Sequence, residues 1–375
     1  MQAETARRGA VLPPIEQVEA QLGEILAGLA ARPAVAFHEQ AVARFASDWL
    51  VARGVSVEPD EYGNLLARVG GGEGPPLVLV AHLDHPGVHL TRDGRATLAG
   101  GVAASALQGR VPVRLLGPRG EQRAWLDGYD EHTRQFARIE PPPPRGAAFA
   151  VWDLPDFAAD DARWTMRAAD DLVGVAAILW TLTHAPRRRR PLIGVLTRAE
   201  EIGLIGATLV AQAGTLPADA LVVSLEASRE LPGARIGDGP VIRVGDRSAA
   251  FHPAGEALLV QAAGRLTERA PGFRFQRQLM TGGTCEATVF TAFGYQTGAL
   301  AIPLGNYHNV DAEGRLAAEY VAPRDLAWLV LLLLEVARPT TVGPLDALRQ
   351  RLVRRARASA RRLRARRDTG LGTHT

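Results

Sequence analysis

Five short segments of this chain carry the side-chain types that bind divalent metal or move protons. His82 and Asp84 lie in Ala81-His82-Leu83-Asp84-His85-Pro86-Gly87, and Asp170 and Asp171 in Ala168-Ala169-Asp170-Asp171-Leu172-Val173-Gly174. Glu200 and Glu201 are adjacent in Thr197-Arg198-Ala199-Glu200-Glu201-Ile202-Gly203. Glu226 ends Val222-Val223-Ser224-Leu225-Glu226, and His308 sits in Ile302-Pro303-Leu304-Gly305-Asn306-Tyr307-His308-Asn309. Two imidazoles with several carboxylates suit a pair of divalent ions about 3.5–4 Å apart that share a carboxylate and a water. Mixed nitrogen and oxygen ligation favours zinc, with cobalt or manganese as substitutes. Neighbouring glutamates point in different directions from a strand or loop, so one can hold metal while the other stays free as a base. Asp84, two residues beyond His82 in an extended chain, faces the same side and is placed to accept the second ring N–H of that histidine.

Taken singly, each segment has a plainer reading. His82 also suits a polar loop, Asp170-Asp171 a helix N-terminus with its preferred acidic cap, and Glu200-Glu201 a solvated turn. Their common placement argues otherwise, because each falls where a buried strand ends or a helix begins. In an open α/β sheet that edge is where ligands bind.

The positioning elements follow from hydrophobic periodicity. Ile15, Val18, Leu22, Ile25 and Leu29 recur at helical spacing, as do Val42, Phe45, Trp49 and Leu50. A strand pair is expected over 55–57 and 64–69, turning at Tyr62-Gly63. The continuous apolar runs 77–81, 192–196 and 220–225 read as strands buried on both faces of a largely parallel sheet. Helices are expected over 172–182, 206–213, 256–270 and 323–336, with a further strand over 298–302. Between 88 and 163 helical periodicity stops, glycine and proline punctuate short alternating segments, and Pro141 to Pro144 exclude regular structure. The reading is an α/β fold, a three-layer α/β/α catalytic domain interrupted by a small β-barrel-like insert. The expected division is 1–87 and 164–340 for the catalytic domain, 88–163 for the β-rich insert and 341–375 for an arginine-rich tail.

Composition narrows the classes. The hydrophobic fraction of 47% is that of a globular protein. The longest apolar run, Leu326 to Leu334, stops at Glu335 and is too short to span a membrane. Arg7 and Arg8 are followed by Glu16, Glu19 and Glu24 rather than an apolar core, so no signal peptide and a cytoplasmic location are expected. One cysteine, Cys285, excludes an intrachain disulfide. The chain has no lysine; from Leu345 to Asp368 ten arginines face two aspartates, a local charge of +8 that leaves the rest near −5 out of a total of +3. No aromatic-interleaved basic surface accompanies that tail, so specific nucleic-acid binding is not expected. Leu345, Leu348 and Leu352 form an apolar stripe of a basic amphipathic helix fit for an anionic surface or partner, against the simpler expectation of a solvated, partly disordered terminus. Arg187 to Arg190 read as a solvated loop.

These motifs resemble the dinuclear zinc aminopeptidases typified by tetrahedral aminopeptidase and the bacterial glutamyl aminopeptidases, peptidase family M forty-two. The resemblance rests on the order of an H-x-D motif (His82, Asp84), a D-D-x-x-G motif (Asp170, Asp171, Gly174), Glu200-Glu201-Ile202-Gly203-Leu204-Ile205-Gly206-Ala207, Glu226 and His308. Tyr62-Gly63-Asn64 after Asp60, and Gly282-Gly283-Thr284, add to it. It implies that His82 and Glu226 hold one metal, Glu201 and His308 the other, with Asp170 bridging. It further implies that Glu200 activates the metal-bridging water as general base, that Asp84 supports His82, and that the Asp170-Asp171 peptide is cis. The implied activity is a metal-dependent aminopeptidase, assembled as a homo-oligomer through the β-rich insert and acting on a peptide or small amide. The alternatives are a dinuclear-metal amidohydrolase of the related carboxypeptidase and deacylase type, acting on N-acyl amino acids or dipeptides, and a non-catalytic homologue. Leu172, Glu226 and Cys285-Glu286 depart from the family pattern, and Leu172 and Cys285-Glu286 are expected to remove charge near a substrate terminus.

Overall fold

The computed structural model describes residues 12–91, 95–118, 120–185, 189–339 and 343–365. Arg7, Arg8, Arg187 and Arg188 lie outside the described residues. The chain divides into two compact units, 1–339 and 340–375.

In the first unit, helix α1 (Ile15–Ala30) buries Val18, Leu22, Ile25, Leu26 and Leu29, the stripe its spacing predicts. Helix α2 (Gln40–Val51) follows. Strands β1 (Ser56–Pro59), β2 (Leu65–Val69) and β3 (Leu77–His82) come next, and β3 is buried along its whole length. Six strands then close into a barrel: β4 (Gly87–Leu90), β5 (Ala96–Ala99), β6 (Val111–Gly117), β7 (Gly120–Asp130), β8 (Gln135–Glu140) and β9 (Phe149–Trp152). Val111, Val113 and Leu115 alternate inward from β6 and pack with Leu126, Phe136 and Trp152, so the barrel has its own core. Pro141 to Pro144 belong to no strand or helix. Two short strands, β10 (Ala158–Ala159) and β11 (Trp164–Met166), lead to helix α3 (Ala169–His184).

Strand and helix then alternate: β12 (Leu192–Thr197), α4 (Ile205–Ala213), β13 (Leu221–Arg229), β14 (Val241–Gly245), α5 (Pro253–Arg269), β15 (Gln276–Leu279), α6 (Glu286–Ala292), β16 (Gln296–Leu304), β17 (Glu319–Val321) and α7 (Pro323–Val336). The main sheet runs β1-β2-β12-β3-β13-β16-β14-β15. Its centre, β12, β3, β13 and β16, is parallel, and β14 runs antiparallel to β16. Alternation along β3 divides two cores: Leu77, Leu79 and Ala81 pack with α1, α3 and α7, while Val78 and Val80 pack with α4 and α6. That is the expected three-layer α/β/α arrangement with a barrel between β3 and α3. Strands β14, β15 and β17 are not foreseen by periodicity, since each is short or polar and is stabilised by neighbours distant in sequence.

The solvated-loop reading of Arg187 to Arg190 fails where it can be judged. Arg189 and Arg190 are buried, and Arg189 donates from Nη2 to the Gly70 carbonyl at 3.0 Å. A guanidinium on an aliphatic stem can seal a sheet edge by bonding carbonyls that would otherwise be orphaned. In the second unit, residues 344–365 form helix α8 (Pro344–Ala365), so the expectation of a partly disordered terminus does not hold for them.

Candidate metal centre

The parallel centre of the sheet converts sequence position into proximity. His82 ends β3 and pairs with Thr197 at the end of β12, which brings Glu200 and Glu201 beside it. Glu226 lies on β13, the other neighbour of β3, and β16 delivers the loop that holds His308. Because the four strands run the same way, their C-terminal ends share one edge, and α3 begins there with Asp170.

The six side chains line one cavity of about 450 Å³. Ligand-type atoms of His82, Glu200 and Glu226 lie within 4.8 Å of one another, and so do those of Asp170, Glu201 and His308. His82 Nε2 is 3.4 Å from Asp170 Oδ1 and 4.0 Å from Glu200 Oε2, which links the two groups. Burial pushes the Glu200 and Glu201 carboxyls well above the usual range, with crowding among carboxylates adding to it. Burial and the nearby Asp170 push Glu226 up to about 8. For His82 burial lowers the proton affinity, but Glu200 and Asp170 outweigh it and the net shift is well upward. Among the described residues, Asp170 Oδ1 and Glu226 Oε1 are buried without a hydrogen-bond partner. Unpartnered buried carboxylates are costly unless a cation compensates them. The donor set and its orphaned oxygens therefore fit two divalent ions.

Local sequence chemistry holds each donor in place. Asp171 is fully buried and accepts the Gly174 N–H at 3.1 Å, while a Cβ at Gly174 would meet its carboxylate at 2.3 Å. The Asp-Asp pair thus divides its work: Asp171 serves the helix N-terminus and Asp170 faces the cavity. The peptide between them is cis. Asn64 accepts the Arg198 N–H at 3.0 Å and donates to Asp60 at 2.7 Å, so the early Asp-x-x-Gly-Asn turn anchors the strand end that leads to Glu200. Ala199 and His308 adopt left-handed backbone conformations (φ +55° each), which surrounding contacts must maintain in non-glycine residues.

The expected contact between His82 and the Asp84 carboxylate is not the one formed. His82 Nδ1 is 2.9 Å from the main-chain oxygen of Asp84, whereas its carboxylate stands 3.9 Å away. Both carboxylate oxygens instead accept main-chain N–H groups, from Glu200 at 2.9 Å and Glu201 at 3.1 Å. Leu172 likewise does not reach the cavity; it is fully buried in the main core between sheet and helices. Its apolar character is a packing requirement there, and it bears on no substrate terminus. Cys285 does line the cavity, and Glu286 is buried behind it against Thr197.

Three positions were silent in the sequence. Glu319, on β17, accepts N–H groups from Ala169 at 2.7 Å, Asp170 at 3.1 Å and His308 at 3.0 Å. Gly101, beyond β5, lies so close that a Cβ would approach the His308 ring at 3.3 Å. Arg243, on β14, lines the cavity nearly fully buried; among the described residues Ser228 Oγ at 3.4 Å is its one side-chain hydrogen-bond partner and its Nε has none. No motif marks Glu319 or Arg243, because an acid or a base on a short strand is ordinary until its neighbours are known.

Residues 148–315 match the family model of M42 glutamyl aminopeptidases. Over that stretch the chain is similar to the M42 peptidases. A "putative aminopeptidase" of Acetivibrio thermocellus is 26% identical over 279 residues, covering 68% of this chain and 81% of that protein. An aminopeptidase from the archaeon Desulfurococcus kamchatkensis superposes with a TM-score of 0.72 at 23% identity, covering 85% of this chain and 95% of its own. The TET1 peptidase of Pyrococcus horikoshii, described as assembling into a tetrahedron or a large octahedral shell, gives 0.70 at 20% identity over 85% of this chain and all of its own. The M42 resemblance supports a metal-dependent aminopeptidase, and the structural likenesses show the zinc-exopeptidase-like fold. No helix among the described residues is long and apolar enough to cross a membrane.

Proposed function

We propose that this chain is a metal-dependent aminopeptidase with a preference for an acidic first residue. The carrying observation is the convergence of His82, Asp170, Glu201, Glu226 and His308 beside Glu200 in one cavity. In this reading His82, Glu226, Glu201, His308 and Asp170 would hold the two ions. The donor chemistry suits zinc. Two such ions would polarise the scissile carbonyl and lower the pKa of the attacking water. Glu200, whose proton affinity is raised by burial, is placed to take a proton from the attacking water and would return it to the departing amine. Asp84 fixes the main chain that carries Glu200 and Glu201.

Substrate preference rests on the wall beyond Glu226. Arg243 forms no ion pair among the described residues, and Arg229 and Arg247 line the same cavity. Burial opposes the Arg243 charge, but nearby groups, Glu226 and Asp246 among them, outweigh it; none of them bonds the guanidinium among the described residues, so its N–H groups stay available to a ligand carboxylate. The side chain of an N-terminal glutamate or aspartate supplies that carboxylate, which agrees with the name of the matching family. We further retain 88–163 as an insert domain used in self-assembly, as the assembled shells of the TET1 peptidase suggest, and a cytoplasmic location.

The test is turnover of aminoacyl and N-acyl amides by zinc-loaded protein. Glutamyl and aspartyl amides should exceed leucyl and arginyl amides, and Arg243→Met should remove about 10- to 100-fold of the glutamyl kcat/KM, the worth of a charged hydrogen bond. Activity confined to N-blocked substrates would sink the aminopeptidase reading, whereas an unchanged glutamyl preference in Arg243→Met would sink only the acidic one.

A further inference from the structure

Helix α8 (Pro344–Ala365) belongs to neither the cavity nor the sheet, and the family match at 148–315 does not reach it. Leu345, Leu348 and Leu352 are exposed, at 44%, 39% and 55%. At 100° per residue these three fall within an arc of about 60°, one continuous stripe. Arg349 and Arg355 border the stripe, Arg351 lies beside them, Arg354 and Arg357 occupy the opposite side, and all five are exposed. From 345 to 368 the charge is +8, against a remainder near −5.

We propose that α8 is a peripheral membrane-binding helix that lies flat on a bilayer rich in anionic lipid. The charge selects an anionic partner and opposes pairing of the helix with a second copy of itself, which would juxtapose two such arginine faces. The leucine stripe discriminates among anions. A nucleic acid would engage the arginines and leave the leucines in water, whereas a bilayer accepts both: guanidinium groups bond headgroup phosphates, and leucines enter the acyl boundary. Bordering arginines on flexible stems can reach up to the phosphates while the stripe faces down. With no aromatic residue in the helix the apolar contact is shallow, so attachment depends on charge and falls steeply with salt. The consequence is a peptidase held reversibly at an anionic membrane surface.

Co-sedimentation of the full chain tests this. The probes are neutral phosphatidylcholine vesicles and the same vesicles with about one-third phosphatidylglycerol. The expected result is binding to the anionic vesicles alone, weakened by salt. Two variants should each lower partition about tenfold or more: Leu345→Ser/Leu348→Ser/Leu352→Ser, which keeps every charge, and Arg351→Gln/Arg354→Gln/Arg357→Gln, which keeps the stripe. Peptidase turnover should be unchanged in both, which shows that the catalytic unit remains folded. No partition of the full chain into anionic vesicles overturns the proposal. So does binding insensitive to the leucine triple, or a tighter leucine-insensitive affinity for an RNA oligomer, because either marks a plain polyanion contact.

Discussion

The carboxylate of Asp84 accepts the main-chain N–H of Glu200 at 2.9 Å while the main-chain oxygen of Asp84 meets the ring of His82 at 2.9 Å. One residue therefore orients both the proposed base and a proposed ligand through different atoms. With its second oxygen on the Glu201 N–H at 3.1 Å, the carboxylate is fully used and fully buried.

Asp84→Asn separates those two duties. The amide keeps one acceptor but turns an NH2 group toward one of two N–H donors, at a cost of about 1–3 kcal/mol for a buried mismatch. The His82 contact, made to the main chain, persists. The expected outcome is a fall in kcat of about 10- to 100-fold with metal content nearly unchanged. Steady-state kinetics beside elemental analysis checks this, and a loss of metal matching that of a His82→Ala variant would show that the carboxylate serves the ligand after all.

Glu319 ties two candidate ligand segments together, since its Oε2 receives the N–H of Asp170 and its Oε1 that of His308. Replacing it with alanine frees both segments and strands three buried donors. Metal affinity should fall about 10- to 100-fold, with Glu319→Gln intermediate because the amide oxygen still accepts part of the load. Competition against a chromophoric chelator measures it. Equal affinities across wild type, Gln and Ala would remove Glu319 from the positioning role.

Protonation predicts a pH dependence with a definite sign. Burial raises Glu226 and Glu319 to about 8 and Glu286 to about 7, against roughly 4.3 for an unperturbed glutamate. Each carboxyl binds its proton more tightly folded than unfolded, so metal-free stability is highest below the unfolded value and declines as pH rises from about 4.5 to about 8. Metal binding displaces protons and supplies the missing positive charge, and its affinity therefore increases over the same window. In the presence of a chelator the melting temperature should fall across this range, and saturating zinc should flatten or reverse the slope. A chelated protein whose stability rises between pH 5 and 8 would refute the buried-carboxylate account.

Much of the architecture was legible because its cause is local. The all-apolar strand ending at His82 and the helical spacing of Val18, Leu22 and Leu29 follow from burial and period, and they place the three layers. The candidate donors, His82, Asp170, Glu201, Glu226 and His308, were conspicuous by type and position at strand ends, and the fold brings them to one cavity. The division of Asp170 from Asp171 was not, because it depends on which oxygen meets Gly174.

The sequence by itself determined the class of fold and the side chains available for metal and proton chemistry, since residue type, period and strand ends are properties of short segments. Tertiary structure alone decided which atom of Asp84 serves His82, that Leu172 packs in the core rather than lining the cavity, and that Glu319 and Arg243 belong to the site. Those outcomes depend on close approach between residues far apart in the chain, and a hydrogen bond or a buried charge is specified only when both partners and the space between them are fixed.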